Sequence, residues 1–234
     1  MRTVILCGGR GTRAWPATAE VPKPMLEIGG RPVVHHVMEI YARQGFTDFV
    51  LATGYKGDVI AAWAATLADG WAVRCLDTGD DADTGERLRS CAELIEAPFL
   101  ATYGDGLGNV DVAAVARRHG EHPGGATVTV VPLPSQYGTI DTDADGRVTA
   151  FREKPVLRDH WINAGFMAFD ADAVVSTPGR SLERDVLPAL GAGGRLYAYR
   201  HDGFWKSMDT HKDVVELNGL ANEEGHPWLQ VPTS

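Results

Sequence analysis

The sequence holds only three cysteines in 234 residues, Cys7, Cys75 and Cys91, and none forms a C-x-x-C pair. An odd count without that spacing argues against a disulfide framework or a zinc site, and the expected surroundings are reducing and cytoplasmic. No apolar run is long enough to span a bilayer, and Arg2 precedes a run that stops at glycines, so neither a membrane span nor a signal peptide is expected. Basic clusters are missing as well. A net charge of −9 without a dense Lys/Arg stretch argues against nucleic acid as a partner. There is no internal repeat, linker or low-complexity segment. What remains is an ordinary apolar fraction of 44%, enough for the core of one α/β domain over residues 1–234.

One stretch organises the chain. Val4–Met25 reads VILCGGRGTRAWPATAEVPKPM. The apolar run Thr3–Cys7 suits one buried strand. A glycine turn follows, Gly8-Gly9-Arg10-Gly11-Thr12-Arg13, and then Pro16, Pro22 and Pro24 keep the chain extended until Lys23. Such a turn offers bare amides at a strand's carboxyl end, and with Arg13 and Lys23 they make a cradle for phosphate oxygens. Gly9 to Ala14 formally fits the G-x-G-x-x-G/A dinucleotide pattern, but the prolines oppose the helix that pattern needs. No Gly-Lys-Ser/Thr follows, so the Walker pattern fails.

Beyond that stretch, strands are expected at Asp48–Thr53, Trp71–Leu76 and Pro98–Tyr103. Helices are expected at Pro32–Gln44, Asp58–Ala68 with Asp58 as cap, up to Ile95, and Val110–His119. Four strand–helix repeats build a parallel sheet covered on both faces, with ligands at the strands' carboxyl edge. The pattern then changes to a strand at Ala126–Leu133 and a hairpin of Tyr137–Asp141 and Arg147–Glu153 around Asp143-Ala144-Asp145-Gly146. Next come Trp161–Asp170, a helix Leu182–Leu190, strands Leu196–His201 and Gly203–Met208, and a helix Thr210–Glu223. The tail His226–Ser234 lacks periodicity and is expected to be loosely held. His35 and His36 are adjacent on a helix and point about 100° apart, which opposes a shared metal.

Asp105 ends a strand between two glycines, and Asp209 ends one late in the chain. Each has a plain structural alternative: a turn residue for Asp105, the N-cap of the last helix for Asp209. Brought together beside a phosphate cradle, they would suit Mg²⁺, which takes one or two carboxylates plus substrate phosphates.

The glycine string followed by Pro22-Lys23-Pro24-Met25 resembles the signature of the sugar-1-phosphate nucleotidyltransferases. That resemblance implies a Rossmann-like three-layer α/β sandwich with a mostly parallel mixed sheet. It implies a nucleotide half at 1–120, a sugar-phosphate half at 121–210, and a C-terminal helix and tail at 211–234. It assigns nucleotide binding to Leu6, Gly8, Gly9, Gly11, Thr12, Arg13, Lys23, Thr84, Gly85 and Asp105, with Arg13 and Lys23 on the triphosphate. Tyr137, Gly138, Glu153, Lys154, Asn163, Gly165 and Glu183 would hold the sugar phosphate, and Asp105 and Asp209 the magnesium. The segments Gly54-Tyr55-Lys56-Gly57, Asp77-Thr78-Gly79 with Thr84-Gly85, Tyr103-Gly104-Asp105-Gly106 and Phe204-Trp205 to Asp209-Thr210 are most similar to the glucose-1-phosphate cytidylyltransferase branch. Between Ala68 and Trp71 the chain has a short turn where that branch carries an insertion. CTP and glucose 1-phosphate are the favoured substrates. Another triphosphate or another phosphorylated acceptor (a different sugar, an alditol, choline phosphate, a phosphonate) stays open, as do a non-catalytic nucleotide sensor and a homo-oligomer. An NAD-linked oxidoreductase is opposed by Thr53-Gly54, where an acidic residue would be needed.

Overall fold

A computed structural model describes residues 1–12, 18–95, 97–122, 124–223 and 225–230. The strand Thr3–Leu6 (β1) lies at the heart of a seven-stranded sheet and is buried throughout. Its sequence alternates between two cores. Ile5 points to one face with Val37, Met38, Tyr41 and Leu51, while Val4 and Leu6 point to the other with Val50, Ala52, Leu88 and Val186. That period of two, buried on both sides, makes three layers.

The elements follow in order. After β1 come a 3₁₀ turn at Lys23–Met25, the short pair Glu27–Ile28 (β2) and Arg31–Pro32 (β3), helix Val33–Ala42 (α1), strand Asp48–Thr53 (β4) and helix Gly57–Ala64 (α2). Then come Ala72–Asp77 (β5), Thr84–Ile95 (α3), Phe99–Tyr103 (β6), Gly106–Gly108 (β7), Val112–Gly120 (α4) and Ala126–Pro134 (β8). The hairpin Thr139–Thr142 (β9) and Val148–Arg152 (β10) leads into Val156–Phe169 (β11), Ala171–Ser176 (α5), a π turn at Leu182–Val186 and Leu187–Ala192 (α6). Leu196–Arg200 (β12), Trp205–Ser207 (β13), His211–Glu223 (α7) and a 3₁₀ turn at Pro227–Leu229 complete the chain.

The sheet order is β12-β8-β11-β6-β1-β4-β5. β1 pairs in parallel with β4 and β6, β4 with β5, and β12 with β8, whereas β11 runs antiparallel to both neighbours. This is the expected mostly parallel mixed sheet. The antiparallel strand lets the second half of the chain seat against β6 without a further crossover helix.

Several expectations shift. Asp58 lies in the first turn of α2 and does not cap it. Lys56 is the cap residue, at φ 52, and the helix stops at Ala64. The expected Leu182–Leu190 helix opens as a π turn in which the Leu187 amide bonds the Leu182 carbonyl. Pro188 has no amide to return to Arg184, so the first turn widens. Gly203–Met208 shrinks to β13, which pairs with β7 as a separate two-stranded ribbon. The described part of the tail is not loose. Trp228 is fully buried, packing edge-on to His36 at 5.3 Å and near Phe204 at 6.2 Å.

Candidate active site

The carboxyl ends of β1 and β6 open into a cleft of about 620 Å³. Gly8, Gly9, Gly11 and Thr12 form one wall. Gly11 takes φ 61, and a side chain there would press on the Lys23 stem, so glycine lets the loop cross over the lysine. Pro22 and Pro24 flank Lys23 and fix its turn beneath the loop.

Lys23 is the hub. Its Nζ lies 2.6 Å from Asp105 Oδ2 and 2.9 Å from Asp209 Oδ1. Asp105 leads into β7 and Asp209 follows β13. These strands are paired, and the Met208 amide donates to the Asp105 carbonyl at 2.9 Å. The ribbon thus sets the spacing of the two carboxylates. Burial alone would lower the Lys23 pKa, but Asp105 and Asp209 together outweigh it and hold the ammonium above its ordinary value. Asp209 does not cap α7. Thr210 does, in a reciprocal box with Asp213, and Asp213 also accepts the Asp209 amide. The Asp209 carboxylate is left facing Lys23 and the Ser207 hydroxyl.

At the other end of the cleft Glu183 accepts from Tyr103 Oη at 2.5 Å, Thr84 Oγ1 at 2.7 Å and Ser181 Oγ at 3.0 Å. Asn163 Nδ2 donates to Tyr103 Oη at 3.3 Å. Burial first, and the Glu183 carboxylate second, push the Tyr103 phenol well above its ordinary pKa, so it stays a donor. The π turn presents Glu183 here, and a bulge in β11 presents Asn163, whose Oδ1 accepts the Gly165 amide at 3.0 Å.

Leu6, Gly8, Gly9, Gly11, Thr12, Lys23, Thr84, Asp105, Asn163, Glu183 and Asp209 therefore line one cleft. Gly85 and Gly165 stand behind it. Gly85 packs on the Arg180 carbonyl, which accepts its amide at 2.8 Å, and Gly165 adopts φ 80 in the bulge. Tyr137, Gly138, Glu153 and Lys154 do not belong to the lining. They sit on the β9–β10 arm, where Tyr137 is 78% exposed and Lys154 pairs only loosely with Glu153 at 3.8 Å. Arg13 lies outside the described residues. Sequence reasoning missed Arg87, Trp205 and Ser207, all in the lining. For Arg87 the signal was a charge at position i of an otherwise apolar Arg87–Leu88–Cys91–Ala92 face.

Residues 2–224 match the family described as Nucleotidyl transferase. This chain belongs to that family. Among curated nucleotidyl transferases it is 36% identical to the glucose-1-phosphate cytidylyltransferase of Salmonella typhi, covering 97% of this chain and 98% of that one. It is 34% identical to a probable glucose-1-phosphate cytidylyltransferase of Bacillus subtilis, over 97% and 99%. It is 30% identical to the mannose-1-phosphate guanyltransferase of Saccharomyces cerevisiae, over 96% of this chain and 67% of that one. The fold matches two solved structures. One is a putative glucose-1-phosphate thymidylyltransferase from Bacillus anthracis (TM-score 0.72, 21% identity, 95% and 96% covered). The other is HddC from Yersinia pseudotuberculosis in complex with GMP-PN (TM-score 0.71, 23% identity, 93% and 98% covered). This nucleotidyl transferase is thus an enzyme of the class that its glycine string and Pro-Lys-Pro segment resemble. No helix among its described residues is long and apolar enough to cross a membrane.

Proposed function

We propose that this nucleotidyltransferase condenses CTP with glucose 1-phosphate, releasing pyrophosphate, with Mg²⁺ as the resident ion. The carrying observation is the Lys23–Asp105–Asp209 cluster at the foot of the glycine loop, in the same cleft as the Asn163–Tyr103–Glu183 hydroxyl-bonding set. The cytidylyltransferases among the relatives support the choice of substrates.

The donor chemistry fits magnesium. Asp105 and Asp209 offer hard anionic oxygens, and among the described residues no group of three or more His, Cys, Asp or Glu comes together to make a full protein cage. One or two carboxylates completed by substrate phosphates is the usual magnesium arrangement. When bound, the ion neutralises phosphate charge and helps to align the two reactants.

The chain's own residues do the rest. Loop amides from Gly8 to Thr12 take triphosphate oxygens, and Lys23 supplies a permanent cation beside them. Lys154 meets the acceptor phosphate, and Asn163 and Glu183 hold sugar hydroxyls. A phosphate oxygen of the acceptor then attacks the α-phosphorus in line. A new P–O bond forms, the α–β bridging bond breaks, and pyrophosphate leaves with the electron pair. The attacking oxygen is already ionised at neutral pH, so no side chain has to take a proton. The barrier is set by repulsion between two anions, which Lys23, Lys154 and the loop amides offset.

The test is pyrophosphate release with each nucleoside triphosphate against a panel of phosphorylated acceptors. CTP with glucose 1-phosphate is expected to be the best pair. A tenfold preference for GTP with mannose 1-phosphate would move the enzyme to the guanyltransferases that also appear among its relatives. Inactivity with every pair would sink the reading.

A further inference from the structure

Arg87 is 4% exposed, and among the described residues its guanidinium makes four bonds, all to neutral acceptors from three segments. Nη1 donates to the Thr53 carbonyl at 2.8 Å and Thr78 Oγ1 at 2.6 Å. Nη2 donates to the Gly8 carbonyl at 3.0 Å and the Asp80 carbonyl at 3.3 Å. These are the end of β4, the two sides of the turn after β5, and the start of the glycine loop. Gly8 and Gly54 both lie flat against the guanidinium, and a Cβ on either would collide with it. Thr78 closes the ring by donating to the Thr53 carbonyl at 2.6 Å. The Gly54 and Asp77-Thr78-Gly79 segments, otherwise without a task in the cleft, thus converge on one side chain.

We propose that Arg87 is a positioning residue for the nucleotide: by bonding the Gly8 carbonyl it fixes the peptide planes of the glycine loop, so that the following amides face the triphosphate. This rests on the reading of the loop as the triphosphate site. Only a planar fork with donors on two nitrogens can bond carbonyls on both sides at once, which a lysine ammonium cannot reproduce. A buried cation solvated by backbone also leaves several carbonyls unsatisfied when removed. Thr84, one turn earlier on α3, bonds Glu183, so the first turn of this helix braces the opposite end of the cleft as well.

The experiment compares wild type with Arg87→Lys and Arg87→Met, and adds Arg87→Ala for the rescue by free guanidinium. It reads hydrogen exchange of the amides of residues 8–12 in the protein alone, then the Michaelis constants for CTP and glucose 1-phosphate. Both variants should speed loop exchange at least tenfold and raise the CTP constant about tenfold. The glucose 1-phosphate constant should stay within twofold. Millimolar guanidinium should restore part of the CTP affinity of Arg87→Ala. Unchanged loop exchange would overturn the proposal. So would equal rises in both constants alongside a fall in melting temperature, since that is the mark of a structural residue. Should Arg87→Met fail to fold, Gly54→Ala crowds the guanidinium without removing it and carries the same expectations. If wild type uses no triphosphate, the substrate reading falls, and the exchange measurement alone decides whether Arg87 holds the loop.

Discussion

Lys23 and Lys154 both stand beside proline, and both were assigned to phosphate, yet the fold treats them oppositely. The Lys23 side chain is 11% exposed and held by two carboxylates. That of Lys154 is 59% exposed on a two-stranded arm, with one loose partner among the described residues and a left-handed backbone at φ 46. A neighbouring proline sets the local backbone, but burial comes from what packs behind it. Behind Lys23 are β1, β6 and the β7–β13 ribbon. Behind Lys154 is the β9–β10 pair, whose Ile140 and Phe151 face each other in register and are both more than half exposed. Among the described residues, the Lys23 end of the cleft is therefore ordered before any ligand arrives, whereas the arm that carries Lys154 has ordering still to do on binding, a cost that weakens affinity for a given set of contacts.

The largest effect should come from the ordered end. Asp105→Asn and Asp209→Asn should each lower turnover about a hundredfold or more while circular dichroism stays native, because each removes an anionic oxygen from the cleft. A near-normal rate at limiting Mg²⁺ in either variant would remove that residue from the ion's ligands and blur the contrast.

Acid should next attack the ordered end from below. His36 Nε2 donates to the Ile28 carbonyl at 2.7 Å, and burial lowers the ring's pKa from 6.5 to about 4. The unfolded chain therefore binds more protons between those values. His36 stabilises the fold fully above pH 6.5, and that contribution, about 3 kcal/mol, is lost as pH falls toward 4. Urea titrations of wild type and His36→Gln across this window should show a steeper loss in wild type. Parallel curves would clear His36 of the role.

The smallest effect belongs to the exposed arm. Lys154→Ala should raise the acceptor Michaelis constant roughly tenfold, the worth of one charge-assisted bond, and leave the melting point and CTP binding unchanged. Loss of CTP affinity with an unchanged acceptor constant would reverse the assignment of the two lysines.

The sheet was legible because its strands are short apolar runs at regular spacing, each ended by glycine or a turn. β4 was placed to the residue. The Lys23 hub was half legible: the three residues were singled out, but their mutual contact depends on the β7–β13 ribbon, and Gly106-Leu107-Gly108 carries no strand signal. Arg87 was hidden because a lone arginine on a helix reads as solvated surface until its four acceptors are brought around it. The tail misled for a related reason. Three residues, Pro227–Leu229, cannot show periodicity, and Trp228 gains its place from partners far away in sequence, among them His36 on α1 and Phe204.

That buried indole also bears on how the chain is made. Trp228 fills a space against His36 on the first long helix, and the Asn109 amide beside β7 bonds the Gln230 carbonyl at 2.9 Å. Synthesis runs from the amino toward the carboxyl end, so the segment with α1 leaves the ribosome with that seat open, and β6 waits likewise for β11. Contacts this distant in sequence close late. α1 and β6 are thus written before the segments that complete their packing, and a nascent chain stalled before residue 228 would carry an apolar seat in α1 for a chaperone to cover.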